Sequence, residues 1–395
     1  MGHRGKWEYL KAIYERYRRS NKADKHRILD EFCKVTSYHR KSALRLLNGP
    51  PPGPKPHRRR AKTSTYLSKT IEILAAIWTA ANHPWSLRLK ALLPLWLPWA
   101  RQRFDVTPFI EKQLLSLSPR HMDRLLAPRK RSLKKRLYGR TKPGSLLKHH
   151  IPLRVDRWNV STPGFTEIDL VAHSGECADG DFINSLNVTD IHSTWVETRA
   201  VLGKSQVRVQ LALDDIRDAL PFPLLGIDSD NGSEFINDHL VRYCKTFQIQ
   251  FTRGRPYKKD DNAHIEQKNW THVRKLLGYV RYDSTDALAA INDLYRNELR
   301  LLQNLFLPAV KLITKTRVGS KVRRVYGPPQ TPLDRVLASA DADPKKVAAL
   351  KALRERIDPF ELSTAVDRKL EHIYALAHQR LSPQALHAAN SVASR

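Results

Sequence analysis

The sequence predicts an α/β core on a mixed five-stranded sheet with flanking helices, all-α domains before it and a small C-terminal region after it. Three observations carry that expectation. Apolar residues recur at helical spacing through the first 130 or so positions, β-rich runs and then alternating strands and helices follow, and the balance of charge changes sharply between the two regions. The chain has 395 residues, with 69 Lys and Arg against 39 Asp and Glu, a formal net charge of +30.

Residues 1–160 hold 37 basic and 10 acidic side chains, 161–254 hold 7 and 14, and 255–395 hold 25 and 15. An excess this large disfavours an ordinary metabolic enzyme and favours a nucleic-acid partner, because neutralised phosphates release their counterions. Acidic residues oppose phosphate binding unless they hold metal ions or do chemistry, so the acidic segment is where an active site is expected. Cys33, Cys177 and Cys244 are odd in number and far apart, which excludes a disulfide framework and a Cys-x-x-Cys zinc site. Residues 73–100 are apolar but broken by His83, Pro84, Arg88, Lys90, Pro94 and Pro98, and MGHRGKWEYL lacks a signal-peptide core. The expectation is a soluble, cytoplasmic protein with no membrane partner.

Taken in order, residues 1–50 place Tyr9, Leu10, Ile13, Tyr14 and Tyr17, then Ile28, Leu29 and Phe32, then Ala43, Leu46 and Leu47 on the inner faces of three helices. Thr36 or Ser37 can cap the third, whose outward residues His39, Arg40, Lys41 and Arg45 suit the major groove, as in a helix-turn-helix domain. Residues 51–66 read as a Pro/Arg-rich linker in which Arg58, Arg59 and Arg60 can track phosphates. Residues 67–138 read as four more helices and a second helix-turn-helix domain. Its last helix opens at Ser118-Pro119 and sets Arg120, His121 and Arg124 against inward Met122, Leu125 and Leu126. A basic connector, 139–160, follows.

Residues 161–310 begin with GFTEIDLVAHS, FINSLNVTDIHS and TWVETRAVL, the pattern of an antiparallel meander. A helix, the short strand LLGIDSDNG, a second helix, the strand IQFTRG and the helix AHIEQKNWTHVRKLLGY come next. Asp169 lies in mid-strand, where a carboxylate is costly unless it meets a cation. Asp230 precedes Asn231-Gly232 at a strand end, and Glu266 sits early on the last helix. Each has an ordinary alternative: Asp169 paired with Arg199, Asp230 capping the helix near Ser233, Glu266 contacting Trp270. Glu167, Asp228, Glu234, Asp260 and Asp261 read as surface, cap or supporting residues. His173 and His192 show no ligand spacing. Arg253, Arg255, Lys258 and Lys259 before the Glu266 helix, and Arg274 and Lys275 on it, are placed to hold DNA phosphates. Residues 311–395 form a basic C-terminal region: a β-like, nucleic-acid-facing stretch over 311–327, then two amphipathic helices around Pro359 expected to pack between subunits.

The series EIDLVAH, SDNGSEF and NAHIEQKN resembles the catalytic core of the retroviral-integrase and bacterial DDE-transposase superfamily, over about residues 160–310. The resemblance implies an RNase H-like fold and a catalytic, metal-binding triad of Asp169, Asp230 and Glu266, with 35 residues between the last two. It implies two Mg²⁺ ions per site, for which Mn²⁺ can substitute. Two such ions stabilise the entering and leaving oxygens of an in-line displacement at phosphorus. It further implies a DNA transposase that binds transposon terminal inverted repeats, cuts strands and joins them to target DNA, as a homo-oligomer on double-stranded DNA at the bacterial nucleoid. A catalytically silent DNA-binding regulator and a purely hydrolytic nuclease are the alternatives. The resemblance departs from the retroviral pattern at the N-terminus, which has helix-turn-helix units in place of a His-His-Cys-Cys zinc domain.

Overall fold

In the computed structural model, residues 2–52, 66–132, 160–176, 179–229, 238–253, 263–318 and 321–377 are described. The chain divides into two units, Met1–Thr65 and Tyr66–Arg395.

In the smaller unit the expected apolar spacing makes three helices, α1 (His3–Arg19), α2 (Lys22–Thr36) and α3 (Arg40–Leu47). Leu10, Ile13, Tyr17, Ile28, Leu29, Phe32, Ala43 and Leu47 form their shared core, and Tyr9 stacks on Phe32 at 5.8 Å. Asn21 caps α2 by accepting from Asp24 N at 3.0 Å. Only Ser37, Tyr38 and His39 separate α2 from α3, and Ser37 takes a left-handed φ of 57° to turn the chain. The cap of α3 is neither Thr36 nor Ser37. It is His39, whose Nδ1 accepts from Lys41 N at 3.3 Å; Thr36 ends α2, where its hydroxyl donates to Phe32 O at 2.6 Å and accepts from Tyr38 N at 3.4 Å.

The larger unit opens with α4 (Ser68–Ala80), α5 (Ser86–Arg103), α6 (Pro108–Ser116) and α7 (Pro119–Ser132). These helices, expected to be a domain of their own, share one core with the sheet and the C-terminal helices. They are apolar on more than one side. Trp96 packs edge-on against Phe360 at 4.9 Å and donates to Phe306 O at 3.3 Å, and Ser363 Oγ donates to Ala80 O at 2.7 Å.

The sheet has the order β3-β2-β1-β4-β5. β1 (Phe165–Ala172), β2 (Ile183–Asp190) and β3 (Val196–Leu202) are an antiparallel meander. α8 (Gln206–Ala219) leads to β4 (Gly226–Ser229), and α9 (Asp238–Thr246) precedes β5 (Gln250–Arg253); β4 runs parallel to β1, and β5 to β4. This is the mixed five-stranded sheet of an RNase H-like core, as expected. α10 (Ala263–Lys268) continues through π-helical turns over Asn269–Arg274 into α11 (Lys275–Leu277). α12 (Thr285–Leu294) likewise runs into π-helical segments, Tyr295–Leu299 and Leu302–Phe306.

Strand alternation and register divide the sheet into two faces. Ile168, Leu186, Val188 and Ile227 point to the α8 side, where Leu213 and Ile216 are also buried. Glu167, Asp169, Ser185, Asn187 and Asp228 point to the α10 and α12 side. Both faces are covered, so β2 is buried at every position although most of its 8 residues are polar. The β3 edge is closed by side chains. Asn292 exchanges two hydrogen bonds with the Ala200 backbone (2.9 Å each), and Asn304 does the same with Val196 (3.0 and 2.8 Å).

A hairpin, β6 (Leu312–Val318) and β7 (Lys321–Tyr326), occupies the expected β-like stretch. α13 (Pro332–Leu337), α14 (Pro344–Arg356) and α15 (Pro359–Ala375) follow. α13 was not expected and rests on a capping box between Thr331 and Asp334. The apolar stripe of α15, expected to pack between subunits, is instead buried within the chain through Phe360, Leu362, Val366, Leu370 and Ile373. Among the described residues no helix is long and apolar enough to cross a membrane.

Candidate active site

The polar face of the sheet gathers the carboxylates. Glu167 and Asp169 alternate onto it from β1, and Asp228 of β4 stands in register with Glu167. Glu167 and Asp228 are fully buried. Glu167 Oε2 accepts from Ile265 N at 2.9 Å, which fixes the start of α10 over β1. Asp228 Oδ1 accepts from Thr252 Oγ1 at 2.6 Å on β5. These two acids, expected to be surface, cap or supporting groups, lie inside and tie elements together.

Asp169 is half-buried and aimed at the same helix. Its Oδ2 accepts from Asn269 Nδ2 at 2.5 Å and its Oδ1 from Leu170 N at 2.8 Å. Asn269 Oδ1 in turn accepts from Asn187 Nδ2 at 2.8 Å. Asn269 lies where the helix changes to π-helical winding, a feature frequent at functional sites, and three residues after Glu266. Glu266 therefore shares a helix face with the residue that touches Asp169. Its side chain, like Asp230 as a whole, lies outside the described residues. β4 is described as far as Ser229, paired with Ile168, one residue short of both Asp230 and Asp169. Among the described residues no group of three or more His, Cys, Asp or Glu could hold a metal.

The ordinary partner considered for Asp169 is engaged elsewhere. Arg199 pairs with Glu197 at 3.2 Å and Asp215 at 2.5 Å, on the α8 side of the sheet. His173, beyond Asp169 on the same face, is fully buried, with Nε2 at 2.8 Å from Ser185 Oγ, which lies 2.8 Å from Tyr295 OH. Burial, with the Arg274 charge adding to it, pulls its pKa down to about 3, so it is a neutral structural group at ordinary pH.

The basic residues divide into exposed and committed ones. His39, Arg40, Lys41 and Arg45 are exposed, with His39 as the cap and Arg40 paired to Asp30. Arg120 and Arg124 are exposed on α7, but His121 is half-buried edge-on against Tyr66 at 4.8 Å. Arg274 sits over the Tyr279 ring at 4.8 Å, and burial lowers its pKa. Lys275 donates to Asn82 O at 2.9 Å and Asn82 Oδ1 at 2.6 Å. Its ammonium holds the α4–α5 turn, a fold contact that the sequence did not foretell. Arg58, Arg59, Arg60, Arg255, Lys258 and Lys259, the Arg253 side chain, Cys177 and most of the 139–160 connector lie outside the described residues. Asn269 and Asn187 were missed by sequence reasoning. The available signal for Asn269 was its helical spacing from Glu266, and for Asn187 only the strand register could supply one.

No family model matches the chain. It is similar to the uncharacterized protein y4rM of Sinorhizobium fredii (strain NBRC 101917 / NGR234), with 40% identity over 331 residues, 83% of this chain and 94% of the relative. Among solved structures it is similar to the HTLV-2 integrase catalytic core domain in complex with magnesium, at 16% identity, TM-score 0.29, 38% of this chain and 92% of that one. It is also similar to the catalytic core domain of BIV integrase, at 18% identity, TM-score 0.28, 44% of this chain and 94% of that one. The fold assignment above rests on strand order and register.

Proposed function

We propose that this chain, which belongs to the family of the uncharacterized Sinorhizobium fredii protein y4rM, is a DNA transposase that cuts and joins strands with Asp169, Asp230 and Glu266. The observation that carries the reading is the hydrogen bond of 2.5 Å between Asp169 and Asn269. It brings the Glu266 helix onto β1 beside the one carboxylate of the three that is described. The donors fit a hard cation, since all three are carboxylates, the set that Mg²⁺ or Mn²⁺ takes, and that of Asp169 is steadied by the Asn269 amide. When bound, such ions supply charge stabilisation for an in-line displacement at phosphorus. Asp169 would hold them with Asp230 and Glu266. Asn269 and Asn187 orient the Asp169 carboxylate, and Glu167 fixes the helix that carries Glu266.

The three-helix unit, with Arg40, Lys41 and Arg45 outward, is read as the part that recognises transposon ends, and exposed Arg120 and Arg124 as further DNA contacts. The protein would act as a homo-oligomer on double-stranded DNA at the nucleoid. Labelled transposon ends incubated with the protein, plasmid and Mg²⁺ should yield joined product, and a chelator should abolish it. Cutting without joining would mark a hydrolytic nuclease, and neither activity would mark a silent DNA-binding regulator.

A further inference from the structure

Away from the acidic face, four cations meet around the 193–194 turn, which joins β2 to β3, and segment 308–311, which enters β6. Arg335 of α13 donates from Nη1 to Ser193 O (3.2 Å) and Thr194 Oγ1 (2.7 Å), and from Nη2 to Ala309 O (2.5 Å). Lys268 of α10 reaches Thr194 O at 3.4 Å, and Arg88 of α5 donates from Nε to Pro308 O. Lys311 stands two residues past Ala309, half-buried, and its ammonium makes no hydrogen bond or ion pair among the described residues.

The counter-charges near the group, Asp190 for Lys311 and Asp334 for Arg335, act from beyond ion-pair distance. Among the described residues no carboxylate lies within ion-pair distance of any of the four, and the nearby acids are committed. Asp190 is buried and accepts from Gly164 N at 2.8 Å and from Ser193 N and Oγ at 2.6 Å each. Asp334 pairs with Arg354 at 2.6 Å. Burial lowers the pKa of Arg88, of Lys268 to about 7 and of Arg335 to about 10, and it lowers that of Lys311 too, with the Arg335 charge adding to the effect and the Asp190 charge opposing it. His192, beside Lys311 and Arg335, is also lowered by burial and by their charges.

Crowded, partly desolvated charges of one sign are costly unless an opposite charge joins them. The backbone carbonyls hold Arg335, Arg88 and Lys268 in place. The Lys311 ammonium and the terminal nitrogens of Arg88 remain as donors for a tetrahedral anion, which can accept from several directions at once.

We propose that this basic cluster is a phosphate-binding subsite formed by Arg88, Lys268, Lys311 and Arg335, taking a phosphate oxyanion either from the DNA backbone or as free phosphate. The proposal stands on the cations and does not depend on strand transfer, so its test uses binding by the full chain without metal.

Lys311→Gln is the discriminating variant, because the Lys311 ammonium makes no hydrogen bond among the described residues, its carbonyl bond from Gly327 N is kept, and the melting temperature should not move. Lys351→Gln, at an exposed position on α14, is the charge-matched control. If the source is DNA, Lys311→Gln should lower the slope of log affinity for a duplex against log salt by about 0.9, the value for one phosphate. The control should then leave the slope unchanged. If the source is free phosphate, calorimetry with inorganic phosphate should show binding that Lys311→Gln weakens about tenfold or more, with duplex binding unchanged. Loss in neither assay, or equal losses in the Lys351→Gln control, overturns the proposal.

Discussion

The two faces of the central sheet are made differently. On the α8 side Ile168, Leu186, Val188 and Ile227 are buried with Leu213 and Ile216, and dispersion and desolvation hold that layer. On the α10 side Glu167, Asp169, Ser185, Asn187 and Asp228 meet Ile265 N, Asn269, Tyr295 and Thr252 through hydrogen bonds. Outside the buried Glu197–Arg199–Asp215 network at β3, the first face has no directional requirement and tolerates exchange among apolar residues. The second depends on each donor finding its acceptor, since a buried polar group left unmatched forfeits its hydration. On the proposed function, stability and chemistry fall on opposite sides of the same strands, and damage to one side should be separable from damage to the other.

The largest separation should come from Asp169→Asn on the polar face. Cutting and joining should fall to background while the melting temperature stays close to wild type and duplex binding persists, measured by strand-transfer assay, thermal unfolding and gel shift. Unfolding of the variant would show that Asp169 is structural.

On the apolar face Leu213→Ala should cost about 2–5 kcal/mol of stability through lost burial and a residual cavity. Denaturant titration reads this, and activity per folded molecule should be preserved below the lowered melting point. A drop in specific activity as large as that of Asp169→Asn would erase the distinction between the faces.

Asn269→Ala tests the polar network one step from the carboxylate. Removing a group that orients a ligating carboxylate is expected to lower activity about 10–100-fold, with more Mg²⁺ or Mn²⁺ required for half-maximal rate. Asn269→Asp, which keeps the shape but cannot donate to Asp169, should not rescue it. An unchanged metal requirement would remove Asn269 from the site.

The smallest effect at neutral pH concerns His173. Its folded pKa of about 3 lies below its ordinary value of 6.5, so the native state binds its proton more weakly than the unfolded state does. Its contribution is complete above pH 6.5 and declines as pH falls from there toward 3. His173→Gln should flatten the dependence of stability on pH across that window and leave the curve above it unchanged in slope. An identical acid limb in both proteins would show that another group governs it.

Much of this architecture was legible before any coordinates. The three N-terminal helices were readable because a small bundle buries one face and leaves the other to water, so that Leu10, Ile13 and Tyr17 alternate visibly with charges. The strand order of the core was foreshadowed by β-rich runs and the helices between them, and Asp169 stood out as a carboxylate in mid-strand. The sheet interior was less readable. Glu167 and Asp228 look like surface residues in one dimension, and Asn187, Asn292 and Asn304 look like loop or exposed positions.

The choice of Asp169, Asp230 and Glu266 as a metal-binding triad came from the family resemblance; by itself the sequence determined most of the helices and strands and where positive charge accumulates. Those properties follow from local periodicity and composition, which a linear chain carries in full. The tertiary structure decided that α4 to α7 join the unit that holds the sheet, that α15 is an internal helix, that Lys275 serves Asn82, and that Asn269 reaches Asp169. Each of these joins residues distant in the chain, by packing or by a hydrogen bond across elements. Such partners depend on register and on helix winding, as with the π-helical turn at Asn269, and neither leaves a periodic trace in the amino-acid order.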